Sequence, residues 1–96
     1  MIFVFNNLKY DTDKMELIST KCEHTYISSF FGDPIKWHAS NVKLFKSKKE
    51  NWLLTYEKNN LDNVYGVALS EEKAKNLLLN YDLEVYEKLF GELEEA

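Results

Sequence analysis

Two hydrophobic periods divide this chain. Up to about Leu69 apolar residues come in short alternating runs separated by turn-forming residues, and from Ser70 onward they recur three and four positions apart. Ile2-Phe3-Val4-Phe5 reads as a buried strand, and Asn6-Asn7 as a turn before Leu8-Lys9-Tyr10. Asp11-Thr12-Asp13 is turn chemistry. A second strand region runs from Met15 to Cys22, with Met15, Leu17 and Ser19 on one face and Glu16 and Ile18 on the other. The aromatic-rich stretch from Thr25 to Phe31 is compatible with strand or irregular chain and is closed by Gly32-Asp33-Pro34, where Pro34 keeps Asp33 out of helical geometry.

The clearest β pattern lies between Ser40 and Lys58. Val42, Leu44 and Lys46 alternate with Lys43 and Phe45, and Trp52, Leu54 and Tyr56 alternate with Leu53 and Thr55. The intervening Ser47-Lys48-Lys49-Glu50-Asn51 predicts a hairpin with a charged tip, in which Asn51 is a residue tolerant of positive φ. The polar turn Asn59-Asn60-Leu61-Asp62-Asn63 precedes a further strand over Val64 to Leu69.

Ser70 is a good helix cap, and Glu71 and Glu72 follow in the first turn, where carboxylates meet the positive end of the helix dipole. Ala74, Leu77 and Leu78 form one apolar face. Asn80-Tyr81 reads as a break and Asp82 as the cap of a second helix, with Val85, Tyr86, Leu89, Phe90 and Leu93 at helical spacing and Gly91 weakening its end. The fold class expected is α+β: a small antiparallel sheet of about four to five strands followed by two C-terminal helices packed on one face. The 96 residues suit a single domain over 1–96, strand-rich over 1–69 and helical over 70–95.

Composition narrows the class. An apolar share of 45% with 15% aromatics exceeds what a disordered chain carries, and charged or amide residues interrupt every apolar run well short of a membrane span. The apolar start is too short for a secretory signal and lacks a basic leading region, and the one cysteine, Cys22, has no internal partner for a disulfide. The expected location is the cytoplasm of a bacterial host cell. All twelve basic residues are lysine, with neither Arg nor Gln and with nine Asn, a bias that suggests an AT-rich bacterial or phage genome. Without arginine, the chain lacks the side chain best suited to bidentate reading of guanine, and direct nucleic-acid recognition is disfavoured.

No catalytic, metal or cofactor site is expected. Cys22-Glu23-His24 holds three ligand types, yet neighbours on a strand point to opposite faces and no second pair stands at zinc spacing. A cysteine nucleophile would need His24 or His38 brought close. Asp11 and Asp13 fit a self-bonded turn better than a metal pair, and no phosphate-binding glycine loop is present.

Charge is lopsided. Residues 36–58 carry six Lys against two Glu, while residues 70–96 carry eight acids against three Lys. Two contact surfaces follow. Glu71, Glu72, Glu84, Glu87, Glu92, Glu94 and Glu95 could enter a basic nucleic-acid channel of a partner protein by mimicking phosphate charge. The lysine hairpin, with Lys43, Lys46, Lys48 and Lys49, is the alternative, and interleaved Phe45 and Trp52 could stack on bases.

Tyr10-Asp11-Thr12-Asp13 with Glu16-Leu17-Ile18, the hairpin Leu44-Phe45-Lys46-Ser47-Lys48-Lys49-Glu50-Asn51-Trp52-Leu53-Leu54, Leu69-Ser70-Glu71-Glu72-Lys73-Ala74 and the acidic end Phe90-Gly91-Glu92-Leu93-Glu94-Glu95 span most of the chain. Together they resemble a family of small proteins carried by phages, plasmids and integrative elements of Gram-positive bacteria, whose hairpin usually has glycine where Glu50 stands. That resemblance implies a mobile-element context and an inhibitor of host defence, such as an anti-CRISPR protein binding a CRISPR effector nuclease or another defence complex. The alternatives are a regulatory or structural module that forms a homodimer, and a weak nucleic-acid binder acting through the lysine hairpin.

Overall fold

Five consecutive side chains, Trp52 to Tyr56, are buried, so the strand that carries them must be covered on both faces. The computed structural model describes residues 1–59 and 63–96. The strands are β1 (Ile2–Phe5), β2 (Leu8–Asp11), β3 (Glu16–Ser19), β4 (Thr25–Phe30), β5 (Asp33–His38), β6 (Ser40–Lys46), β7 (Trp52–Glu57) and β8 (Val64–Leu69); the helices are α1 (Glu71–Tyr81) and α2 (Leu83–Phe90). The main sheet is antiparallel in the order β3-β6-β7-β8, while β1-β2 and β4-β5 form two separate hairpins. The class is α+β. Asn60, Leu61 and Asp62 of the expected polar turn lie outside the described residues.

Trp52, Leu54 and Tyr56 face the helices and share a core with Val42, Leu44, Cys22, Ala74 and Leu78, against which Val85, Tyr86 and Phe90 pack. Leu53 and Thr55 point the other way, where the β1-β2 hairpin covers the sheet. Thr55 lies opposite Gly66 in β8, and a Cβ at Gly66 would come within 2.8 Å of the Phe3 ring. The absent side chain at Gly66 is therefore what lets the N-terminal layer lie flat on the sheet.

Local chemistry sets the turns. Asn6 and Asn7, at φ 50° and 63°, make the two-residue turn with both central residues left-handed that joins β1 to β2. At the lysine hairpin Ser47 accepts from the Glu50 N–H at 2.9 Å, and Glu50 takes φ 65° before the ladder resumes. Asn51 does not hold the positive φ; Glu50 does, because a type I turn over Lys48-Lys49 is followed by a one-residue bulge at that position. A second left-handed pair, Phe31 (52°) and Gly32 (86°), joins β4 to β5.

Several boundaries differ from the periodic pattern. β3 stops at Ser19, and a register shift between Leu17 and Ser19 turns both Ile18 and Ser19 inward and leaves Leu17 exposed. Asn80 and Tyr81 do not break the first helix but form its last turn. Asp82 ends α1 through its backbone N–H to Leu78, while its side chain makes no capping bond to α2. That carboxylate is drawn inward instead, accepting from Ser19 Oγ at 2.6 Å. In α2, Leu89 is exposed, and Leu93 falls beyond the helix because Gly91 takes φ 98° and closes it.

The radius of gyration is 14.7 Å, against about 12.5 Å for a compact chain of this length. A hairpin of six residues per strand, β4-β5, standing off the main sheet as an arm of about 20 Å is in keeping with that larger value.

Replacing Glu50 by glycine relieves the left-handed strain and should stabilise the fold by about 0.5–1 kcal/mol in urea denaturation, even though the exposed 3.7 Å pair with Lys46 is lost. Valine at the same position should destabilise it.

Candidate functional site

Three surfaces concentrate chemistry. The first is the arm. Its root is fixed: the Ala39 N–H donates to the His24 carbonyl, the Asn59 N–H donates to Tyr26 Oη at 3.0 Å, and Asn59 Nδ2 donates to the His38 carbonyl. Tyr26 stacks on Tyr56, and Lys58 Nζ sits over the rings of Tyr26 and Tyr65. Beyond this root, apolar side chains stand in solvent. Cross-strand pairing puts Ile35 and Trp37 on one face and Ile27 on the other. Ile27 is 72% exposed, Trp37 38%, and Phe31 at the tip 93%.

The second surface is acidic. Glu71, Glu72 and Glu84 are exposed on α1 and α2, and Glu92, Glu94 and Glu95 are exposed on the segment after α2. Glu87 is half-buried, and its carboxylate accepts from the Leu93 N–H at 3.1 Å, so it organises the chain end more than it offers charge. None of the seven forms an ion pair among the described residues.

The third is a cleft of about 900 Å³ between β2 with the turn Thr12–Lys14 on one side and the lysine hairpin tip on the other. Lys46, Lys48 and Lys49 line it together with Lys9 and Lys14, which sequence spacing did not associate with them. Lys43 lies outside, in mid-β6. Trp52 is 1% exposed beneath the helices, so it cannot stack on bases, and Phe45 is half-buried. The basic surface is therefore a cleft without the aromatic platform that the alternating pattern suggested.

Cys22, Glu23, His24 and His38 line a separate depression of about 350 Å³. Burial pushes the Cys22 thiol up from its ordinary value; a hydrogen bond with Ser19 works against that rise and the Asp82 charge adds to it. A protonated, buried thiol is a poor nucleophile. His24 packs on the Tyr56 ring at 4.3 Å, and burial moves its pKa down from 6.5. Among the described residues no three His, Cys, Asp or Glu side chains converge to hold a metal ion, and no helix is long and apolar enough to cross a membrane. Asp11 Oδ1 accepts from the Asp13 N–H, closing the turn on itself, while Asp13 reaches the N-terminal amine.

Compared with protein-family models, curated proteins and solved structures, the chain matches none.

Cys22 should resist an aromatic disulfide reagent in the folded protein and react fully once urea unfolds it. The unfolded chain protonates His24 more readily than the folded one, so the stability that this ring contributes is complete above about pH 6.5 and is lost as the pH falls below that value. Thermal melts at about pH 7.5 and about pH 5.5 should differ less in His24→Phe, which keeps the ring contact and cannot titrate.

Proposed function

We propose that this chain is a non-enzymatic inhibitor of a bacterial defence system encoded by a mobile element: an anti-CRISPR protein that binds a CRISPR effector nuclease and blocks nucleic-acid binding or activation. The observation that carries the reading is the arm. Ile27, Ile35 and Trp37 present apolar surface to solvent, and at the arm's tip Phe31 takes a positive φ, which costs a bulky residue more than it would glycine. Apolar, strained residues at an exposed tip fit a surface that is completed by a partner protein.

The acidic face supports the same reading. Carboxylates on α1, α2 and the end of the chain are free to oppose lysine and arginine that line a nucleic-acid channel. Attraction of this kind speeds encounter and sets orientation, and the arm's aromatic side chains would anchor the complex. The resemblance to small mobile-element proteins supplies the biological setting.

A second reading rests on the arm's edges. Among the described residues β4 and β5 pair only with each other, so each offers an edge to a second copy and a homodimer could form there.

The test is titration of the purified chain into guide-loaded CRISPR effectors, followed by target cleavage and gel filtration. The expected result is co-elution and loss of cleavage that saturates at equimolar chain. Trp37→Ala with Phe31→Ser should raise the half-inhibitory concentration at least about tenfold. Lysine at Glu92, Glu94 and Glu95 should mainly slow association. Failure to bind any effector, with mass in solution doubling as concentration rises, would sink the inhibitor reading and favour the dimer.

A further inference from the structure

The lysine cleft is built from two stretches of chain that are distant in sequence. Lys9 and Lys14 come from β2 and the turn after it, while Lys46, Lys48 and Lys49 come from the end of β6 and the hairpin tip. Asp11, Asp13 and Glu16 also line the cleft, so five cations face three carboxylates and the local excess is positive in a molecule whose net charge is −4. The carboxylates are partly committed elsewhere. Asp11 holds its own turn, and Asp13 lies 3.8 Å from the N-terminal amine.

Of the five cations, one is similarly committed. Lys46 is engaged, 3.7 Å from Glu50 and over the Trp52 ring. Lys9, Lys14, Lys48 and Lys49 make no ion pair among the described residues. Like charges gathered around one concavity repel one another, and salt screens that repulsion only in part. A concave wall also focuses their field, and such an arrangement favours an anion in the space between them.

The cleft offers further partners for oxygen-rich ligands. Asn7, Asn51 and Ser47 line it, whereas the aromatics that would stack on a base are absent: Tyr10 is buried and Trp52 belongs to the core. We infer that this cleft is a binding site for closely spaced phosphates, held by lysine charge and amide hydrogen bonds without reading of bases. It takes a phosphodiester backbone or a compact polyphosphate by the same chemistry. The site is independent of the arm and of the acidic helices.

Binding is measured by anisotropy of a fluorescein-labelled short oligothymidylate and by calorimetry with inorganic tripolyphosphate. The expected result is binding at about 50 mM salt that weakens about fiftyfold by about 200 mM, the slope for roughly four phosphates neutralised on a single strand. Lys14→Glu with Lys48→Glu, one residue from each wall, should abolish binding without lowering the melting temperature. Lys36→Glu with Lys73→Glu, outside the cleft, should leave it unchanged. Strand binding that tripolyphosphate displaces only in excess identifies a phosphodiester; tripolyphosphate binding alone identifies a compact polyphosphate. The inference is overturned if neither probe binds, if the cleft variant binds like the parent, if the outside variant weakens binding equally, or if polyglutamate competes as well as phosphate.

Discussion

Everything in this fold depends on the double burial of β7. A strand that loses solvent on both faces needs two covering layers, and the chain supplies one from each end. The helices arrive after β8 and bury Trp52, Leu54 and Tyr56 with Ala74 and Leu78. The N-terminal hairpin covers Leu53 and Thr55, its Phe3 ring resting on Gly66. The buried hydrogen bond from Ser19 to Asp82 then ties the edge strand to the joint between the helices. Leaving either partner alone in that site would strand a buried polar group, which costs about 1–3 kcal/mol.

This arrangement frees the remaining elements from structural duty. The arm contributes only its root to the body, where Tyr26 stacks on Tyr56. The lysine cleft lies at the end of the molecule where the hairpin layer meets the β6-β7 turn, and the acidic residues line the helical layer. The excess of positive charge and the excess of negative charge thus fall at different places in the fold, one at the cleft and one on the helical layer.

Much of the fold was legible because its signals are local. Alternation over Val42 to Tyr56 and the span Val64 to Leu69 matched the strands, and Ser70 caps α1 by accepting from the Lys73 N–H. Asn6-Asn7 formed its turn. What failed was decided at longer range. Asp82 looked like a cap, but a serine from a distant strand claims its carboxylate, and Asn80-Tyr81 stayed helical because α1 continues to that residue. Asn51 resembled the left-handed residue of the hairpin until the bulge placed that burden on Glu50. The candidate surfaces were half visible: their charges can be counted along the chain, but no periodicity brings Lys9 and Lys14 beside Lys48, or reveals that Trp52 lies beneath the helices.

The close approach of Phe3 to Gly66 reaches beyond packing. A methyl group at position 66 would push against the ring, which belongs to the same hairpin that supplies one wall of the lysine cleft. The constraint runs one way: a gain of bulk at position 66 is accommodated only alongside a loss of bulk or a shift of the ring at position 3. Residues near opposite ends of the strand-rich segment are thereby coupled under selection, beside a surface that neither of them lines.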